Sequence, residues 1–317
     1  MPLLITFVAV VGVHSQVGPP DNRREQQRLD TERKIEAERE LRMRQMRELD
    51  TRMKAMNQPD RSVPATPTID KETSERIRLA RRVEAADFNR YSEFLNTGKT
   101  GIFKLFPDYD CVTKDVVRTD GDCKNFVFAS SSFSFRSGGY IHPYYHDFGF
   151  NHGEIYSNAF FSQGILASLG DMPIESVTPT HEGLKFIFDF QPASDPDGAR
   201  KSAARLKDGI ESGGFNYSSH FLPVENATYV LRSIAYDIAN ALPAVTETTS
   251  MSELRFHTLA RDKRADVIIL FRIVRKGPDG SLTIVWKELD RKEAPKIKFS
   301  KGDKFVDFKP DLAQSQH

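Results

Sequence analysis

The placement of aromatic residues constrains this chain more than any other feature. Of 23 Phe only Phe7 precedes residue 87, and all 9 Tyr follow it. The material for a core therefore lies almost entirely beyond that point, and a folded domain has to be built there. The 317 residues suffice for one large domain or two medium ones. With 45 basic and 44 acidic residues the net charge is +1, so no global field gathers nucleic acid or an anionic membrane surface.

Within the aromatic-rich part the dominant signal is strand. Leu184-Lys-Phe-Ile-Phe-Asp-Phe190 alternates, with Leu184, Phe186, Phe188 and Phe190 on one face, and reads as a strand. Asn125–Arg136 changes register midway, which suggests a bulged or twisted strand. Further strands are expected at Ile155–Phe161, Gly164–Leu169, Ile174–Val177 and Thr228–Tyr236. A hairpin joins Asp266–Arg275 to Leu282–Leu289 through Gly277-Pro-Asp-Gly280, whose residues suit successive turn positions. Helical patches are expected near 198–212 and 236–242. A leading helix starts at Asp70 or Thr73 as N-cap, carries Ile77, Ala80, Val83 (or Ala86), Phe88, Tyr91, Phe94 and Leu95 at helical spacing, and stops at Asn96-Thr97-Gly98. No regular alternation of strand and helix is present, which excludes a doubly wound fold. The expected class is α+β: a charged N-terminal helix, then a β-rich, mainly antiparallel sheet or sandwich domain over 70–300 with a packed leading helix.

The remaining chain divides by composition. Residues 1–15 read as a signal peptide: Leu3–Val13 is apolar, too short to span a bilayer, and Val13-His14-Ser15 places small residues before a cut between Ser15 and Gln16. No Lys or Arg precedes the apolar run. Residues 16–56 form a charged helical spacer, with acid before base at i,i+4 in Asp30–Lys34, Glu38–Arg42, Glu40–Arg44, Glu48–Arg52 and Asp50–Lys54. Met46, Leu49, Met53 and Met56 make a short heptad seam that fails further back, so the segment is either a solitary helix or a weak coiled coil with some self-association through 21–57. Residues 57–69 hold three prolines and read as an extended linker, and 301–317 as a polar tail.

The only cysteines, Cys111 and Cys123, form one local disulfide in an oxidising compartment and are two unrelated thiols otherwise. The segment Gly138–Glu154 gathers His142, His146 and His152 with Asp147 and Glu154 beside them. Imidazole and carboxylate ligands suit zinc, iron or copper, but the spacing matches no metal motif, and Pro143 disfavours the helix that His142 and His146 would need. The same segment also reads as a ligand or glycan contact surface and, ahead of both, as plain loop architecture. Gly98-Lys99 lacks the upstream glycine of a phosphate loop and is a helix stop. Gly209-Ile-Glu-Ser-Gly213 has the wrong spacing for a nucleophile elbow. Asn216-Tyr-Ser218 and Asn226-Ala-Thr228 fit the N-glycosylation acceptor pattern. The basic stretch Arg255–Arg264 is offset by Asp262 and reads as a solvated loop.

Together these features lead to a secreted, periplasmic or cell-envelope protein. It is expected to be a non-enzymatic binding or structural module with a helical spacer arm and a protein or glycan partner, without nucleic acid, transmembrane span or assigned cofactor. The alternative is a metal-binding protein or metalloenzyme using His142, His146 and His152, with Asp147 or Glu154 as further ligand or general base. A third reading is an envelope protein that assembles through 21–57.

Overall fold

The computed structural model describes residues 70–113, 116–143, 145–238, 263–300, 303 and 308. The expected leader with its Ser15/Gln16 cut, the expected charged spacer and the expected proline linker lie outside the described residues. The described part is mixed helix and strand, mostly β, and its strands form antiparallel sheets.

The long hairpin sets the frame. β13 (Ala265–Lys276) pairs with β14 (Leu282–Glu293), and the Gly277 N–H donates to the Ser281 carbonyl at the turn. β1 (Thr100–Leu105) adds to the outer side of β14, while β12 (Thr228–Ala235) and β8 (Ser162–Gly170) add to the side of β13. The hairpin β9 (Ile210–Ser212) and β10 (Phe215–Ser218) completes seven strands in the order β1-β14-β13-β12-β8-β10-β9. A second sheet of five short strands has the order β11 (His220–Phe221), β7 (Glu154–Tyr156), β6 (Phe148–Asn151), β4 (Ser132–Ser134), β5 (Gly139–Tyr140). β2 (Val112–Thr113) and β3 (Val116–Val117) form a separate two-stranded ribbon.

The central sheet is buried on both faces, because successive strand residues point to opposite sides. From β13, Val267, Ile269, Phe271 and Ile273 join Phe103, Phe133, Phe135, Phe148, Phe150 and Ile155 in a core between the two sheets. Ile268, Leu270 and Val274 face the other way, towards the helical side of the molecule. There they meet Leu184 and Ile187 of α4 (Glu182–Asp189) and Ala199 and Leu206 of α5 (Pro196–Asp208). The result is three layers, short sheet on long sheet on helices, with β13 contributing to both cores.

Several elements differ from expectation. Leu184–Phe190 is not a strand but most of helix α4, entered through His181, whose Nδ1 accepts from the Gly183 N–H. Its apolar residues satisfy both periods: Leu184 and Ile187, three apart, are the buried pair, while Phe186, Phe188 and Phe190 are partly covered. Gly183 allows the close approach, since a Cβ there would stand 2.6 Å from Leu169 Cδ2. Ile174–Val177 holds a 3₁₀ turn at Ile174–Ser176. Of Asn125–Arg136 only β4 is strand, and the register change is a turn in which Ala129 has φ 54°. Ile155–Phe161 likewise keeps strand only in β7.

The leading helix starts where predicted, with the Thr73 N–H donating to Asp70 Oδ1 at 2.6 Å, but breaks into α1 (Lys71–Ala80), α2 (Ala85–Arg90) and α3 (Ser92–Leu95). Arg81 ends α1 by turning to the second sheet, donating to Ser130 Oγ and the Ala129 carbonyl and lying 3.9 Å over the Tyr140 ring. Consequently α1 buries no residue, and the packed portion is α2–α3, with Tyr91 and Phe94 in the helix-side core. The solvated loop expected at Arg255–Arg264 and the polar tail expected at 301–317 lie mostly outside the described residues, and single described residues in each make internal contacts. Arg264 donates to the carbonyls of Tyr236, Phe160 and Phe161 rather than to solvent. Phe308, inside the stretch expected as a polar tail, is 1% exposed and packs against the Phe161 and Tyr236 rings. The expected helical patch at 236–242 lies largely outside the described residues, and at its start Asp237 forms a bridge with Lys296.

Candidate functional site

The histidine segment runs from β5 through a loop into the β6–β7 hairpin, on the short sheet. His142 is exposed, its ring 6.1 Å from that of Tyr145. His146 is buried. Its Nδ1 faces the Pro143 carbonyl, an acceptor, which places a proton on that nitrogen, and the ring meets the edge of Tyr156 at 5.0 Å. His152 sits at the tip of the β6–β7 turn with φ 47°, donates from Nε2 to Asp110 Oδ2 at 2.9 Å and touches the Tyr109 ring edge-on. Glu154 is exposed at the start of β7. The three imidazoles thus serve three separate local contacts. Among the described residues no three His, Cys, Asp or Glu side chains gather where they could hold one ion.

The group that organises this segment is Asp147. Its carboxylate takes four donors: Arg136 Nε at 2.5 Å and Ser233 Oγ at 2.7 Å on Oδ1, Ser134 Oγ at 2.9 Å and the Arg136 N–H at 3.0 Å on Oδ2. Its own carbonyl accepts from Ser157 Oγ. The Arg136 and Asp147 side chains are 2% and 0% exposed, and Arg136 Nη2 donates on to the Tyr145 carbonyl. Burial pushes the Asp147 carboxyl towards protonation. The charge of Arg136, with hydrogen bonds from Arg136 and Ser233, outweighs that and holds it below the ordinary carboxylate range. Burial, reinforced by the charge of Asp108, pushes the neighbouring Tyr156 hydroxyl up to about 12. A carboxylate with every acceptor direction filled and no exposed surface has no position from which to exchange a proton with a bound molecule. The arrangement is a clamp between the sheets.

A second buried pair lies on the opposite face. Arg232 donates from Nε and Nη2 to both oxygens of Asp266, at 2.9 and 2.7 Å, and from Nη1 to the carbonyls of Ile187 and Phe190 at the end of α4. Neither network is visible as a motif. The available signal is a charge interrupting an apolar strand, as Arg232 does in Thr228–Ala235 and Asp266 in Ala265–Lys276, because such a charge must find a partner when it is buried.

The remaining sequence candidates are placed as follows. Cys111 and Cys123 are disulfide-bonded with Cα atoms 5.5 Å apart, and the Arg118 N–H donates to the Cys111 carbonyl across the ribbon that the bond pins. Val112, Val116 and Val117 of that ribbon are exposed. Asn216 is exposed on β10, whereas Asn226 is half-buried in a turn with φ 63°. Lys99 follows α3 and gives its Nζ to Glu288 Oε1 at 2.8 Å, the contact of a sheet edge rather than a phosphate loop. No helix among the described residues is long and apolar enough to cross a membrane. No protein-family model matches the chain, and neither the curated proteins nor the solved structures contain a significant match to it.

Proposed function

We propose that the chain is an exported, non-enzymatic binding or structural module in which a charged helical arm precedes a disulfide-bonded β domain. The observation that carries this reading is the state of Asp147 and its neighbours. The segment richest in chemically capable side chains spends them on internal contacts, with Asp147 saturated, His146 on a backbone carbonyl and His152 on Asp110. Export is supported by the apolar leader and by the Cys111–Cys123 bond, which persists in oxidising compartments. The exposed valines of the disulfide-pinned ribbon supply apolar surface of the kind used in contacts with a protein partner.

The test is metal content. The mature protein, purified without chelator or affinity histidines, is expected to hold no stoichiometric transition metal and to unfold at the same temperature as a His142→Ala/His152→Ala variant. A one-to-one metal that disappears in that variant replaces this reading with the metal-binding alternative centred on His142, His146 and His152.

A further inference from the structure

The two glycosylation acceptor triplets are unequal once they are placed in the fold. In Asn216-Tyr-Ser218, Phe215 and Tyr217 turn into the helix-side core, and Asn216, by the alternation of a strand, points out the other way and is exposed. Its Oδ1 lies over Gly209, 2.9 Å from where a Cβ would stand, at the rim of the molecule where the seven-stranded sheet ends. In Asn226-Ala-Thr228, Asn226 is half-buried in the left-handed turn that leads into β12, its N–H held by the Ile273 carbonyl. Thr228 is 0% exposed and its hydroxyl is directed at the Met172 carbonyl. A large hydrophilic substituent is compatible with the first site and displaces packed structure at the second.

We propose that Asn216 carries an N-linked glycan and that Asn226 does not. The donor is a lipid-linked oligosaccharide diphosphate. The side-chain amide nitrogen of Asn216 bonds to the anomeric carbon of the first sugar. The bond from that carbon to the diphosphate oxygen breaks, the lipid diphosphate leaves with the electron pair, and the amide nitrogen loses one proton. The Ser218 hydroxyl completes the acceptor triplet. The glycan has a structural consequence, because β9 is the outermost strand of the long sheet and Asn216 is paired with Glu211 upon it. A bulky polar group there shields an edge that is otherwise a template for another strand.

The proposal rests on the export reading, and the experiment separates the two. The full chain is expressed in a eukaryotic secretory host with its own first fifteen residues and, in parallel, with an established leader in their place. With the established leader, peptide N-glycosidase is expected to shift the band by one glycan and to leave an aspartate at position 216. The shift disappears in Asn216→Gln and in Ser218→Ala, survives in Ser218→Thr, and survives in Asn226→Gln. Ser218→Ala leaves the Asn216 contact with the β9–β10 hairpin in place, so misfolding of one variant does not decide the result. A chain with no shift, or an unchanged shift in Asn216→Gln and Ser218→Ala, overturns the proposal. A second shift lost in Asn226→Gln overturns the exclusion of Asn226. A glycan present with the established leader but absent with the chain's own leaves the site standing and overturns export.

Discussion

Arg232 and Ser233 are neighbours on β12, and they hold opposite layers of the protein. Arg232 faces the helices, brings the charge itself, and ties Asp266 of β13 to two carbonyls at the end of α4. Ser233 faces the short sheet and contributes only a hydroxyl to Asp147, whose charge is balanced by Arg136 from the same outer layer. The helix layer is therefore anchored by a pair that belongs to the central sheet, while the short sheet carries its own pair and borrows one hydrogen bond. The two anchors look alike in composition and differ in which layer loses its charge balance when the central sheet is altered.

The comparison predicts different mutational costs on the two faces. Arg232→Met strands a buried Asp266 and two α4 carbonyls, and denaturant unfolding is expected to fall by about 3–5 kcal/mol, the cost of breaking a buried pair by removing one partner. Hydrogen exchange should then speed first in Glu182–Asp189. Asp147→Ala strands Arg136 and costs a similar ~3–5 kcal/mol, but the amides exposed first should be those of β4 to β7. Early exchange in α4 from this variant would show that the anchors are coupled and break the comparison.

The double replacement Arg136→Met/Asp147→Leu sharpens it further. Removing both charges from a buried pair is often close to neutral, so this variant is expected to be more stable than Asp147→Ala by about 2 kcal/mol or more in the same measurement. Ser233→Ala is the mildest of the series. It removes one donor of four from a carboxylate and is expected to cost ~1–2 kcal/mol, against the larger loss from its neighbour.

The pH dependence follows from the depressed carboxyl of Asp147. A group held below its ordinary value in the folded state stabilises the fold fully above that value, 3.8, and the contribution is lost as pH falls through the folded value. The stability difference between the protein and Asp147→Ala should therefore be constant from neutral pH down to about 4 and shrink below it. A difference that shrinks near pH 6 would place the titrating group elsewhere.

What the sequence disclosed depended on the length and the uniformity of each element. β8, β12 and the β13–β14 hairpin were legible because each is a long apolar-rich run, and the hairpin carries Gly277, Pro278 and Gly280 at its turn. The strands of the short sheet have two to four residues, too few to display a period, and their burial is set by the sheet beneath them. The segment Leu184–Phe190 carries apolar residues at 184, 186, 187, 188 and 190, a set that fits a strand and a helix alike; as a helix it buries Leu184 and Ile187 and lays the Phe186 ring against Tyr217. The clamp around Asp147 was half visible. His146 and Asp147 stood out in a polar-aromatic cluster, but Ser233 lies 86 positions away, and no local pattern announces a partner at that distance.

The pairing of β1 with β14 has a consequence in time. Leu105 lies opposite Leu282, so the edge strand made first finds β14, its one neighbour among the described strands, roughly 180 residues later. At about 5–20 residues per second of synthesis, β1 waits on the order of ten seconds or more before its ladder can form. Until the β13–β14 hairpin emerges, the rings of the short sheet face a central layer that still lacks Val267, Ile269, Phe271, Ile273 and Ile284. Closure of this edge is thus reserved for a chain already synthesised through β14, and a shorter nascent chain presents β1 with its ladder unmade.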